Sequence, residues 1–335
     1  MQFRHLIFGA MASLISLTSI SAVFASDFPQ TFEHRYGTTI IDKKPIRVVT
    51  ISYNGPDNLL ALGVIPVAVR NWFDYDYNTG PWAQEALGDA KPVVLKGDLS
   101  IEQIAALAPD VIVGMYSGIS EEQYALLSQI APVIAAEKQY TNYSTPWHVR
   151  AKTIGRVVGE AEKADAMVAA LEQRIVDIAA SHPEWKGKTA AVAHAGKMAS
   201  GGGPIVYRSI DPRPALIAQF GFVTPKKIDD LGAPEKFNAE LSLEDLSPID
   251  VDLLIWNIGD EEFDLVKNLT LRKTLNAHKQ GRELVVDDVS SGALSYNSLL
   301  SLSYLFDALV PLIELAVDGD PATIVPTTKA AGLLD

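Results

Sequence analysis

The chain repeats itself once at domain scale. Residues 99–114 read LSIEQIAALAPDVIVG and residues 241–256 read LSLEDLSPIDVDLLIW. Both copies run Leu-Ser-Ile/Leu-Glu, then a short amphipathic stretch, then Asp110 or Asp252, then a wholly apolar strand. Ser100 with Gln103 has the pattern of a capping box, and Ser242 with Asp245 is a near version of it, so a short helix is expected after each serine. DVIVG and DLLIW are continuous apolar runs, as parallel strands covered on both faces require. A repeat at this spacing implies two related lobes rather than a solenoid.

What precedes each copy supports the same reading. In the first half RVVTIS reads as a strand, Asn54-Gly55-Pro56 as a turn, DNLLAL as a helix closed by Gly63 and VIPVAV as the next strand. In the second half TAAVAHA is a strand, and a glycine-rich hairpin (Gly201, Gly202, Gly203, Pro204) leads to PALIAQF, a helix closed by Gly221. Strand–helix–strand alternation predicts an α/β fold with a Rossmann-like parallel sheet in each lobe. Between the lobes, Ala164, Met167, Val168, Leu171, Ile175 and Ile178 fall at helical spacing, which predicts a long helix over Ala161 to Ser181 and a shorter one before Gly159. The expected organisation is a leader at 1–25, one lobe at 26–145, connecting helices at 146–186 and a second lobe at 187–335. A rigid helical connection should allow little opening and closing.

The leader is read from Arg4 and His5, an apolar run from Leu6 to Ile20 and small residues ending at Ala25. That is the anatomy of a secretory signal cut after Ala25, and the run falls short of the ~20 residues a membrane span needs. The sequence has no cysteine. An exported chain of this kind has neither a disulfide scaffold nor a lipidated cysteine, so a soluble periplasmic monomer is expected. A net charge of −13 argues against nucleic acid and anionic membrane as partners.

Ligands of open parallel sheets bind at the carboxyl ends of the strands. In the first lobe those ends carry Arg70, Trp72 and Tyr116; in the second, His194, Lys197, Tyr207, Arg208, Trp256 and Asn257, with Ser295 and Tyr296 late in the chain. Aromatics beside cations suit a flat anionic or amphipathic ligand, although any one of these tryptophans could equally be structural. Glu102 and Glu244 open the two repeats. A carboxylate at a helix start gains about 0.3–1 kcal/mol from the dipole, so the residues alone fit either a cap or an acidic docking knob. Enzyme signals are weak. Gly114-Met115-Tyr116-Ser117-Gly118 places its serine one position late for a nucleophile elbow, Gly201-Gly202-Gly203 lacks the rest of a phosphate loop, and His34, His148, His182, His194 and His278 lie in unrelated segments.

The order of segments resembles the ABC-importer binding proteins with a helical backbone, which handle iron siderophores, haem and cobalamin. The segments RVVTISYNGPDNLLALGVIPVAVRNW, LSIEQIAALAPDVIVGMYSG, LLSQIAPVIA, TPWHVRAKTIGRVVG and SYNSLLSLSYLFDALVP carry the likeness, and the last points to the ferric-siderophore branch. The resemblance implies periplasmic capture of a ferric siderophore and delivery to the permease subunits of an importer, with no cofactor beyond the iron inside the ligand. It implies docking of Glu102 and Glu244 onto those subunits and ligand contact by Arg70 and Trp72. By loop position it extends that contact to Tyr116, Lys197, Tyr207, Arg208, Trp256 and Tyr296. Some catecholate binders carry an arginine where Ala293 stands, so the class of siderophore stays open. Cobalamin or haem binding on the same fold is the alternative, and a periplasmic α/β hydrolase is a more distant one, since no nucleophile with a paired base is found.

Overall fold

A computed structural model describes residues 28–334; the leader reading at 1–25 lies outside them. A hairpin of β1 (Gln30–His34) and β2 (Gly37–Ile41), not foreseen from the sequence, precedes the first lobe. The first lobe is a wholly parallel sheet of β3 (Val48–Thr50), β4 (Ala68–Arg70), β5 (Val93–Leu95), β6 (Val111–Gly114) and β7 (Val133–Ala135), in the order β5-β4-β3-β6-β7. The second contains β8 (Ala190–His194), β9 (Ile205–Tyr207), β10 (Asn238–Glu240), β11 (Leu253–Trp256) and β12 (Glu283–Val285), ordered β10-β9-β8-β11-β12.

This second sheet corrects the expectation of two parallel sheets. β8, β11 and β12 run parallel, but β9 pairs antiparallel with β8 and with β10. The reason is local. The glycine-rich excursion turns the chain straight back, and a strand returning through a tight turn can only pair antiparallel.

The repeated aspartates have a shared mechanical role. Asp110 accepts the N–H groups of Ile46 and Arg47 at 2.9 and 2.8 Å, just before β3. Asp252 accepts the N–H and hydroxyl of Thr189 at 2.9 and 2.8 Å, just before β8. Each copy thus clamps the start of its lobe's central strand. The bonds from Arg47 and Ile46 hold Asp110 below the ordinary carboxylate range; for Asp252, burial pushes upward but the Thr189 bonds and Arg282 outweigh it. The helix after the first serine forms (Ile101–Ala106, Ser100 accepting the Gln103 N–H), but the second copy has only a turn and a short 3-10 segment, Ser247–Ile249. Pro248 has no backbone N–H to give to an α-helical ladder, and Asp245 takes the Ser247 N–H at 2.9 Å into a side-chain-closed turn.

Helices Trp147–Val157 and Ala161–Ser181 connect the lobes and pack closely, since a Cβ on Gly155 would lie 2.4 Å from that of Ala164. They are joined by Leu299–Ala316. This helix is long and apolar enough to cross a membrane by composition, yet its Leu299, Leu302, Leu305, Phe306, Leu309 and Ile313 stripe is buried. That stripe lies in one core with Ala61 and Trp147 from the first half and β8 and β11 from the second. Polar ties cross the same seam. The Leu299 N–H reaches Asn58 Oδ1 at 3.0 Å, and the Ser298 hydroxyl reaches Asp57 at 2.7 Å.

Candidate functional site

A cleft of about 600 Å³ lies where the two lobes face each other. One wall is the segment after β4: Trp72, Phe73, Asp74 and Tyr75. The opposite wall comes from the second lobe: His194 at the end of β8, Tyr207 on β9, Arg213 at the start of helix Pro212–Gln219, and Asn257, Gly259, Glu261 and Glu262 after β11. Asp288, Ser291 and Ser295 of helix Asp288–Tyr296 complete it.

The aromatic wall is held from behind. Asn78 adopts a left-handed backbone (φ 52), which asparagine tolerates better than most residues. Its Oδ1 accepts the Trp72 N–H at 2.9 Å and the Tyr296 hydroxyl at 2.8 Å. Tyr296, fully buried, stacks on Trp72 with centroids 5.4 Å apart and 20° between planes. Tyr75 crosses to the second lobe and donates to the Asp288 carbonyl at 3.3 Å. Its hydroxyl end can approach that helix because residue 292 is glycine; a Cβ there would meet the hydroxyl at 2.1 Å.

The opposite wall is built on a buried ion pair. Arg213 Nη1 donates to both oxygens of Asp211 at 3.0 and 2.9 Å, and Nε donates to Ser295 Oγ at 3.2 Å. The guanidinium sits 4.0 Å from the Tyr207 ring centroid. Among the described residues Nη2 has no acceptor, and Arg213 lines the cleft, so that nitrogen is free for a ligand. His194 stacks on Tyr207 at 5.2 Å; burial, seconded by Arg213, pushes its imidazole down to about 4, so it is neutral at physiological pH. Behind this wall lies Arg150, 5.2 Å from the Tyr116 ring, donating to the carbonyls of Thr145 and Asn297.

Of the residues singled out from the sequence, Trp72 and Tyr207 line the cleft. Arg70, Tyr116 and Tyr296 stand behind its wall. Arg70 donates to the Ser117 carbonyl at 3.0 Å and stacks over Tyr53 at 4.1 Å, while Tyr116 is buried 6.0 Å from the Trp72 ring. Three expectations are corrected. Trp256 is fully buried, its indole N–H bonded to Glu283 at 3.0 Å, because side chains alternate along β11 and send Trp256 to the outer core and Asn257 to the cleft. Arg208 clamps the carbonyls of Ala233, Lys236 and Asp229. Tyr207 ends β9 and faces the cleft, so the next side chain, Arg208, points to the opposite side of the strand. Lys197 is exposed and pairs with Glu240 at 3.1 Å. Glu102 and Glu244 are both exposed; Glu244 sits in a turn, which removes the helix-dipole account for that copy.

Two α/β lobes fastened by helices, with a ligand-sized cleft at their strand ends, define a solute-binding protein. Residues 48–287 match the model of the periplasmic binding protein family, and the chain belongs to that family, which consists of substrate-binding proteins. It is 30% identical over 292 residues (82% of this chain, 85% of the relative) to the probable siderophore-binding lipoprotein YfiY of Bacillus subtilis. It is 28% identical over 168 residues (48% and 53%) to the Fe(3+) dicitrate-binding periplasmic protein FecB of Escherichia coli. Among solved structures, a periplasmic solute binding protein of Mycobacterium smegmatis matches with TM-score 0.74 at 29% identity, covering 86% of this chain and 98% of that one. PiaA of Streptococcus pneumoniae in complex with ferrichrome matches with TM-score 0.72 at 29% identity, covering 87% and 99%.

Proposed function

We propose that this protein captures a ferric siderophore in the interlobe cleft, outside the cytoplasmic membrane, and delivers it to the permease subunits of an ABC importer. The observation that carries the reading is the pairing of the Trp72–Tyr75 wall with Tyr207 and the free Arg213 nitrogen across one cleft. Its volume falls within the ~300–1,000 Å³ of small-molecule sites. The likeness to siderophore-binding relatives supports the same conclusion. The siderophore satisfies the iron's coordination, and the protein supplies shape, aromatic contact and polar groups. Residues 1–25 serve as a leader removed after Ala25, and the protein acts as a free monomer.

Titration with a panel of ferric siderophores tests this. Iron complexes absorb in the near ultraviolet and visible, so one bound beside Trp72 quenches its emission. Trp72 is the one tryptophan among the cleft-lining residues, so Trp72→Phe should remove most of the quenching and weaken binding several-fold. No quenching and no affinity across the panel would rule the reading out.

Docking is assigned to Glu102 and Glu244, one exposed carboxylate per lobe. The double change Glu102→Ala with Glu244→Ala is expected to abolish uptake of radiolabelled complex in cells while leaving ligand affinity unchanged. Its stability cost should be at most about 1 kcal/mol, the scale of a helix-end charge. Normal uptake by the double variant would remove the docking role.

A further inference from the structure

Resting on the siderophore-binding reading, we propose that the complex taken by this cleft is cationic: a ferric trihydroxamate that carries a protonated amine. Four carboxylates (Asp74, Glu261, Glu262 and Asp288) line the cleft against one arginine, Arg213, which Asp211 already neutralises. Among the described residues, no lysine or arginine stands within salt-bridge distance of any of the four. They also crowd one another. Burial raises Asp288, and Asp260, Glu261 and Asp287 raise it further; burial raises Glu262, with Glu261 adding to it.

A second, independent observation points to the same chemistry. Asn257 is 6% exposed and lines the cleft. Its Nδ2 donates to Ser295 Oγ at 3.2 Å, yet its buried Oδ1 has no partner among the described residues. A buried acceptor left unpaired costs stability until a ligand supplies a donor. An ammonium has donors to spare and no acceptor, so it can satisfy Asn257 Oδ1 while its charge meets the carboxylates. The aromatic walls also favour a cation. The charge of the metal core then selects the class. Hydroxamates carry one negative charge each, and three of them cancel iron(III). Three catecholates leave a triply negative complex, which this cleft repels.

The test uses the full protein and three probes: the ferric complex of desferrioxamine B, which keeps a free amine; the same complex N-acetylated, which is neutral; and a ferric tris-catecholate. The amine complex should bind at least tenfold more tightly than its acetylated form and at least a hundredfold more tightly than the tris-catecholate. The double change Glu261→Gln with Glu262→Gln should bring the amine-to-acetyl ratio below about threefold. Equal or tighter binding of the tris-catecholate would overturn the cationic assignment and leave the siderophore reading standing, as would a ratio that the double variant does not move. Binding of none of the three, nor of any other ferric siderophore, would overturn both.

Discussion

Replacing Asp211 with alanine is expected to destabilise the protein by about 3–5 kcal/mol, the cost of leaving a buried charge without its partner. Asp211 is wholly buried and Arg213 nearly so, with two bonds of 3.0 and 2.9 Å between them. Arg150, also buried, lies close enough to feel the same carboxylate. Removing it leaves two buried guanidinium groups with no negative charge between them. The change also removes the N-cap of helix Pro212–Gln219, where Asp211 accepts the Arg213 N–H at 2.9 Å, for a further loss of about 1 kcal/mol. Asp211→Asn retains the cap and should cost less. The diagnostic variant is Asp211→Asn with Arg213→Met, which removes the pair and leaves only Arg150 charged, and it should recover part of the loss, because an apolar replacement of a buried pair is often neutral. Urea unfolding at pH 7.5 measures all three. A double variant as unstable as Asp211→Ala would show that the destabilisation comes from packing and not from the orphaned charge.

That pair also marks where the sequence stopped being readable. The lobes, the central strands and the helix Ala161–Ser181 follow from periodicity and caps, because local pattern and tertiary burial agree there. The strand-end rule located His194, Tyr207, Asn257 and Ser295. It failed at Arg208, which follows Tyr207 and so faces away from the cleft. It overshot at Trp256 by one position, because a strand's last residue and the residue after it face opposite sides. Arg213 had a signal that went unused: Asp-Pro-Arg is a cap, a first-turn proline and a cation at a helix start. The carboxylates of the far wall had none. Glu261 and Glu262 look like solvated loop acids in sequence, and only the packing of the Asp288–Tyr296 helix against the Trp72–Tyr75 segment makes them cleft residues. Asn78 was equally silent, as its role depends on Tyr296, more than two hundred residues away.

The last expectation concerns the seam between the lobes, where Asp57 makes stability depend on pH in an unusual direction. Its carboxyl group is wholly buried, accepts the Trp82 indole N–H at 2.6 Å and the Ser298 hydroxyl at 2.7 Å, and is paired with no cation among the described residues. Burial pushes its pKa up to about 7, against the pull of the Ser298 and Trp82 bonds. In the unfolded chain the group ionises near 4. Below about pH 4 it is protonated in both states and its folded environment costs nothing extra. Between pH 4 and 7 the unfolded chain releases the proton and the folded protein holds it, so stability falls as pH rises, and above 7 the loss is complete. At about 1.4 kcal/mol per unit, the loss from pH 4.5 to 8 is about 3 kcal/mol. Asp57→Asn cannot ionise. Relative to the parent it should therefore gain about 3 kcal/mol between those two pH values, whatever its standing at pH 4.5. That standing should be slightly unfavourable, because Asp57 Oδ1 has no partner and an amide nitrogen placed there would be an unpaired donor. Urea unfolding of both proteins at the two pH values gives this difference of differences, in which distant titrating groups cancel. Parallel pH profiles would mean that Asp57 is ionised in the folded protein and that the lobes are joined across a buried charge.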